Sequence, residues 1–180
     1  GGQGLNVMNH ACAEFYTVLR VNRLTVSCEL NQKELQDVFA SGGNYVMEAY
    51  GRTQLMLLNH CPRRTKRGDQ KQDSRCDACA GLGGCPETYT DRKGYRFPLR
   101  RLQMEHGCVL RLYNSVETDM AKYSEKLHAF SVSLCLAFTD EPLEKQKEIT
   151  ASYRSVLDTG MALHAVSATA TAGHLLRGVQ

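Results

Sequence analysis

The chain contains no run of apolar residues approaching the roughly 18 that a membrane-spanning helix needs, and its first residues show no charged stretch followed by a signal-type apolar core. These two absences lead us to expect a soluble, cytoplasmic protein with no membrane partner. No segment recurs at a fixed period and no low-complexity tract occurs, which excludes a solenoid or a fibrous array. Two signatures of hydrolytic chemistry are also missing: the HExxH pair that holds a catalytic zinc, and the GxSxG elbow that presents a nucleophilic serine. A proteolytic mechanism therefore has neither a metal-activated water nor a nucleophile that a motif reveals. Large apolar side chains are almost absent between residues 62 and 86, so that stretch reads as a long loop without a core of its own.

What is present suits one globular domain covering residues 1–180. Its 180 residues, 42% hydrophobic and 23% charged, are enough for a sizeable core and too few for two comfortable ones. The net charge of +3 hides a local imbalance. From Cys61 to Arg111 there are twelve Lys or Arg against six Asp or Glu, so the rest of the chain is acidic.

Eight cysteines in a chain without secretion signals point away from disulfides and towards ligation of a metal or cluster. Cys61, Cys76, Cys79, Cys85 and Cys108 lie together, whereas Cys12, Cys28 and Cys135 sit inside apolar elements and read as core packing. Cys76 and Cys79 form a CxxC pair, and soft thiolates converging on one point suit iron or zinc. Zinc sites usually use two close pairs of ligands, and only one such pair exists here. The wider spread favours an iron-sulfur cluster, with zinc as the alternative.

Short apolar runs alternate with amphipathic stretches, the pattern of strand-helix units on a parallel sheet, which predicts an α/β fold. Strands are expected at residues 5–8, 24–27, 45–49 and 54–58, and helices at 11–21 and 32–40, the second capped by Asn31 and closed by Gly42-Gly43. The loop at residues 62–86 interrupts this order. Beyond it the pattern predicts strands at 95–102 and 109–113, a helix at 117–127, a strand at 130–138 and a helix at 141–157. Asp140 is the expected N-cap of that last helix, with Pro142 early in it and Gly160 after its end.

Several strings resemble the collagenase-like peptidase family, numbered thirty-two among peptidases of unassigned mechanism. They are Leu5-Asn6-Val7-Met8-Asn9, Thr25-Val26-Ser27-Cys28-Glu29-Leu30 and Leu55-Met56-Leu57-Leu58-Asn59-His60-Cys61-Pro62. The run Asp91-Arg92-Lys93-Gly94-Tyr95-Arg96-Phe97-Pro98-Leu99 is similar to the family's Asp-Arg-x-Gly-x-x-Phe-Pro, and Cys108 with Asn114-Ser115 fits its next element. Gly173-His174 through Arg177-Gly178-Val179 looks like its Gly-His-x-x-Arg-Gly ending. The resemblance implies part of a (β/α) TIM-type barrel whose N-terminal strands are missing, since a full barrel takes about 250 residues. It also implies a 4Fe-4S cluster on Cys61, Cys76, Cys79 and Cys108. Cys85 is a rival ligand that departs from the family pattern, as do Arg63 and Arg64 after the Cys-Pro.

The activity implied is that of a peptidase by family label, with cluster-dependent RNA hydroxylation (tRNA or rRNA modification) as its rival and a non-catalytic zinc-stabilised binding module as a third reading. The substrate is accordingly a large one, protein or RNA. Arg63, Arg64, Lys66 and Arg67, with Lys71, Arg75, Arg92, Lys93, Arg96, Arg100 and Arg101, are candidates for phosphate contact, and Tyr89, Tyr95 and Phe97 for stacking. Solvated loop charge is the alternative for the cations. Barrel sites lie at the C-terminal ends of strands, which makes Glu29 a candidate catalytic residue and Asn9, Asn59 and Asn114 candidate companions. Asp91 and Arg92 are further candidates, acting beneath the cluster or merely stabilising a turn. His10, His60 and His106 read as surface or packing residues, while His174 and Arg177 belong to the terminal match and could reach the site. A partial barrel has open sheet edges, so a homo-oligomer is expected.

Overall fold

The computed structural model describes residues 1–59, 88–104 and 107–176. Where composition argues for one domain, the contacts divide the chain into two compact units, Gly1–Gly51 with Val116–Gln180, and Arg52–Ser115.

The first unit begins with a 3-10 turn at Gln3–Leu5 and helix α1, His10–Val18, whose N-cap Asn9 accepts the Cys12 N–H at 2.9 Å. Strand β1, Leu24–Thr25, is followed by helix α2, Gln32–Phe39. Asn31 caps α2 through a reciprocal capping box. Its side chain accepts the N–H groups of Lys33 and Glu34, and the Glu34 carboxylate accepts the N–H of Asn31 at 2.8 Å. Strand β2, Tyr45–Gly51, alternates as a strand with one buried face must: Tyr45, Met47 and Ala49 are buried, Val46 and Glu48 half-buried.

The second unit, Arg52–Ser115, holds strands β3, Gln54–Leu58, β4, Thr88–Thr90, β5, Arg96–Met104, and β6, Gly107–Tyr113, in the order β3-β6-β5-β4. Every pairing in this sheet is antiparallel. The chain then returns to the first unit with β7, Thr118–Asp119, a 3-10 turn at Met120–Tyr123, helix α3, Ser124–Phe130, strand β8, Ser133–Ala137, and helix α4, Leu143–Thr159. In its sheet β2 is central: β1 and β8 flank it in parallel, Val7 adds a parallel bridge to Val26, and β7 runs antiparallel against Tyr50 and Gly51. Leu35, Val38, Leu127, Ile149, Tyr153 and Val156 of α2, α3 and α4 share one core with Tyr45, Met47 and Ala49 of β2. Gly51 closes β2 at φ 140°, where a Cβ would stand 2.4 Å from the Ala137 carbonyl oxygen.

The α/β class follows from these elements, but the described strands make no closed barrel. Five local readings need correction. Residues 54–58 form a strand, yet one that pairs antiparallel with β6 instead of extending the parallel set. At residues 5–8 only Val7 is paired. The stretch 117–127 is not one helix, because Thr118 and Asp119 are buried against β2 and the Asp119 carboxylate accepts the Ala121 N–H, so regular helix starts only at Ser124. Phe130 ends α3, and Ser131 at φ 53° turns the chain before β8 begins. Helix α4 starts at Leu143 with Pro142 at its N-cap position, so Asp140 does not cap it, and the carboxylate of Glu141 accepts the N–H groups of Thr139 and Asp140. Gly160 ends that helix at φ 76°, in the left-handed conformation its sequence position anticipates.

Candidate functional site

Cys61, Cys76, Cys79 and Cys85 lie outside the described residues, together with Arg63, Arg64, Lys66, Arg67, Lys71, Arg75, His60, His106 and Arg177. Cys108 is described: it is the second residue of β6, half-buried and opposite Gln103 of β5. Leu58 pairs with Leu110, so β3 ends at the end of the sheet where β6 begins. Among the described residues no group of three His, Cys, Asp or Glu side chains is placed to hold a metal.

Asp91 organises the hairpin between β4 and β5. Its Oδ1 accepts the N–H groups of Lys93 at 2.8 Å and Tyr95 at 2.9 Å, and Gly94 takes the positive φ, 86°, that the turn requires. Arg92 is exposed in the same turn. Asn114 is half-buried, and its carbonyl accepts from Arg52 Nη1 at 3.2 Å. Asn59 is exposed just past β3. In the first unit Asn9 is spent as a helix cap, Glu29 is exposed in the turn after β1, and His10 and His174 are exposed.

A carboxylate that the candidate residues omitted sits at the centre of the parallel sheet. Glu48 is half-buried in β2, its register partner across the parallel pairing is Cys135 of β8, and the Gln3 side-chain amide donates to its Oε2. No cation pairs with it among the described residues. Burial raises its carboxyl above the ordinary range, and the Gln3 hydrogen bond opposes that shift. The thiol of Cys28, after β1, is pushed up by burial and then by Glu48 and Glu29, and Cys135 by burial and Glu48. Both shifts disfavour the thiolate, the form in which cysteine attacks or ligates. The sequence signal was a single acid inside an otherwise apolar strand, Tyr45-Val46-Met47-Glu48-Ala49-Tyr50.

A second polar group, also unforeseen, is fully interior. The side chain of Asp119 is 4% exposed and that of His164 3%, with Nε2 and Oδ2 2.7 Å apart. His164 Nδ1 lies 2.7 Å from Ser152 Oγ, which also accepts the N–H groups of Leu163 at 2.7 Å and His164 at 3.2 Å. With both lone pairs of the serine taken, its proton points to Nδ1, and the ring proton sits on Nε2, donated to Asp119. The Tyr153 hydroxyl is 2.8 Å from Asp119 Oδ1 and from the Ala49 carbonyl.

No protein-family model matches the chain, and neither a curated protein nor a solved structure shows significant similarity to it. The chemistry of these groups therefore rests on geometry alone. Serine, histidine and aspartate stand in the order of a hydrolytic triad, but Ser152 is 0% exposed and its oxygen is already hydrogen-bonded on every side. The network ties residues 163–164 to α4 and β7; it does not present a nucleophile.

Proposed function

We propose that the chain is part of a barrel protein of the collagenase-like peptidase kind, carrying a 4Fe-4S cluster on four of Cys61, Cys76, Cys79, Cys85 and Cys108 and acting on a large substrate in the cytoplasm. The observation that supports this reading is the register of the antiparallel sheet. Leu58 faces Leu110, two residues from Cys108, and Cys61 follows Leu58 by only three residue steps, a reach of at most about 11 Å. A half-buried thiol at a strand start is a suitable donor for a cluster, whose irons are held by thiolates. When bound, the cluster would supply one-electron chemistry.

On this reading Asp91 holds its hairpin and does not touch substrate. Glu29, in the turn after β1, and Glu48, at the midpoint of β2, carry the polar chemistry of the parallel sheet. RNA is the alternative substrate to protein, favoured by the twelve cations between Cys61 and Arg111, and a modifying hydroxylase then replaces the peptidase.

The test is iron and acid-labile sulfide analysis of anaerobically purified protein and of a Cys76→Ala, Cys79→Ala variant. Iron and sulfide present in the parent and lost in the variant support the cluster. Stoichiometric zinc in protein made with iron available supports the binding module, and absence of both metals overturns the proposal. Cleavage of gelatin, set against retention of labelled tRNA, separates the two substrate classes.

A further inference from the structure

A cavity of about 580 Å³ opens in the first unit beside the Asp119 network, within the size range of small-molecule sites. One wall is Lys122 and Tyr123 of the 3-10 turn before α3; the other is the backbone between Val166 and Leu176. The second wall is fixed at several points. Thr171 bridges Thr118, its N–H donates to the Glu117 carbonyl, and its carbonyl accepts the Asp119 N–H at 2.8 Å. The Leu175 carbonyl accepts the Gln32 N–H at 2.8 Å, and His164 anchors the start of the segment through Ser152 and Asp119. A site held this firmly loses little freedom when a ligand enters.

The charges on the walls decide what fits. The carboxylate of Asp119 is consumed by His164, Tyr153 and Ala121 and offers nothing to a ligand. Glu117 is paired with Lys145. Lys126 donates to Gln32 and lies over the Tyr123 ring, 5.6 Å from its centre, adding positive field behind that wall. Lys122 is exposed, and among the described residues no carboxylate pairs with it. Thr171 Oγ1 accepts the Gly173 N–H at 3.1 Å, which leaves its own proton to donate. Apolar surface comes from Val166, Leu176 and the alanines between them.

We propose that this cavity binds a small organic carboxylate, its anionic end on Lys122 and the Thr171 hydroxyl and its apolar body against Tyr123, Val166 and Leu176. One ammonium and one hydroxyl suit a monoanion; a phosphate is usually gripped by more donors, several of them charged.

The test uses the full chain, isotope-labelled, titrated with hexanoate, hexanol, hexylamine and inorganic phosphate while amide shifts are followed. The expected result is saturable shifts at residues 167–173 with hexanoate, at least threefold tighter than with hexanol or hexylamine. Lys122→Gln should erase that preference and Lys122→Arg should retain it, with unfolding temperatures unchanged because Lys122 is exposed. No saturable shift with hexanoate, equal binding of the uncharged or cationic probes, tighter binding of phosphate, or an unaltered ranking in Lys122→Gln would each overturn the proposal.

Discussion

Replacing Tyr153 by Phe isolates one contact of the buried network without changing the shape of the core. The ring is 2% exposed and packs between Tyr50 and His164, contacts that Phe retains. What is lost is one hydroxyl, shared between the Asp119 carboxylate and the Ala49 carbonyl at 2.8 Å each. Burial, and then the neighbouring Asp119, push the phenol upwards, which favours the protonated form that donates to the carboxylate. A hydrogen bond to a charged acceptor contributes about 1.5–3 kcal/mol, and Asp119 keeps His164 and the Ala121 N–H, so the expected loss is about 2 kcal/mol. In an Asp119→Asn background the acceptor is neutral and the same change should cost about 1 kcal/mol, a coupling of about 1 kcal/mol. Urea unfolding followed by circular dichroism measures all four corners of the cycle. Hydrogen exchange at the Ala121 amide, which donates to the same carboxylate, localises the effect. A loss below about 0.5 kcal/mol, or identical losses in the two backgrounds, refutes the claim that the carboxylate is held by Tyr153.

Two further outcomes follow from single residues. Glu48→Gln should stabilise the protein at pH 7. The folded carboxyl titrates above its unfolded value, so the stability it contributes is complete below the unfolded value and is lost as pH rises through the folded one. Thermal unfolding should therefore show a gain at pH 7 that disappears in acid beyond the carboxylate range; a variant less stable at pH 7 would contradict this. Asp91→Ala removes the acceptor of two N–H groups in an exposed hairpin and should cost about 1 kcal/mol. Iron content should not change, and a parallel loss of iron would return Asp91 to the cluster's surroundings.

Local chemistry made several features legible in the sequence alone. Asn31 is a good N-cap, Gly160 must stop a helix, and the run from Tyr45 to Ala49 has the composition of a strand. These are decided within a few residues of chain, which is why they could be read without partners. The grouping of Cys61, Cys76, Cys79, Cys85 and Cys108 and the positive charge around it are likewise facts of sequence, and the proposed cluster rests on them.

Pairing and burial were settled only by the tertiary structure. Residues 54–58 have the composition of a strand, but whether such a strand runs parallel or antiparallel depends on β6, some fifty residues away. The stretch 117–127 carries helical residues throughout, yet burial of Thr118 and Asp119 against β2 outweighs that preference. Asp119, Ser152, Tyr153 and His164 carry no local mark, because their meeting needs the return of residues 161–176 across α4 and β7. A buried carboxylate is tolerated only when donors distant in sequence converge on it, and that convergence is a property of the fold.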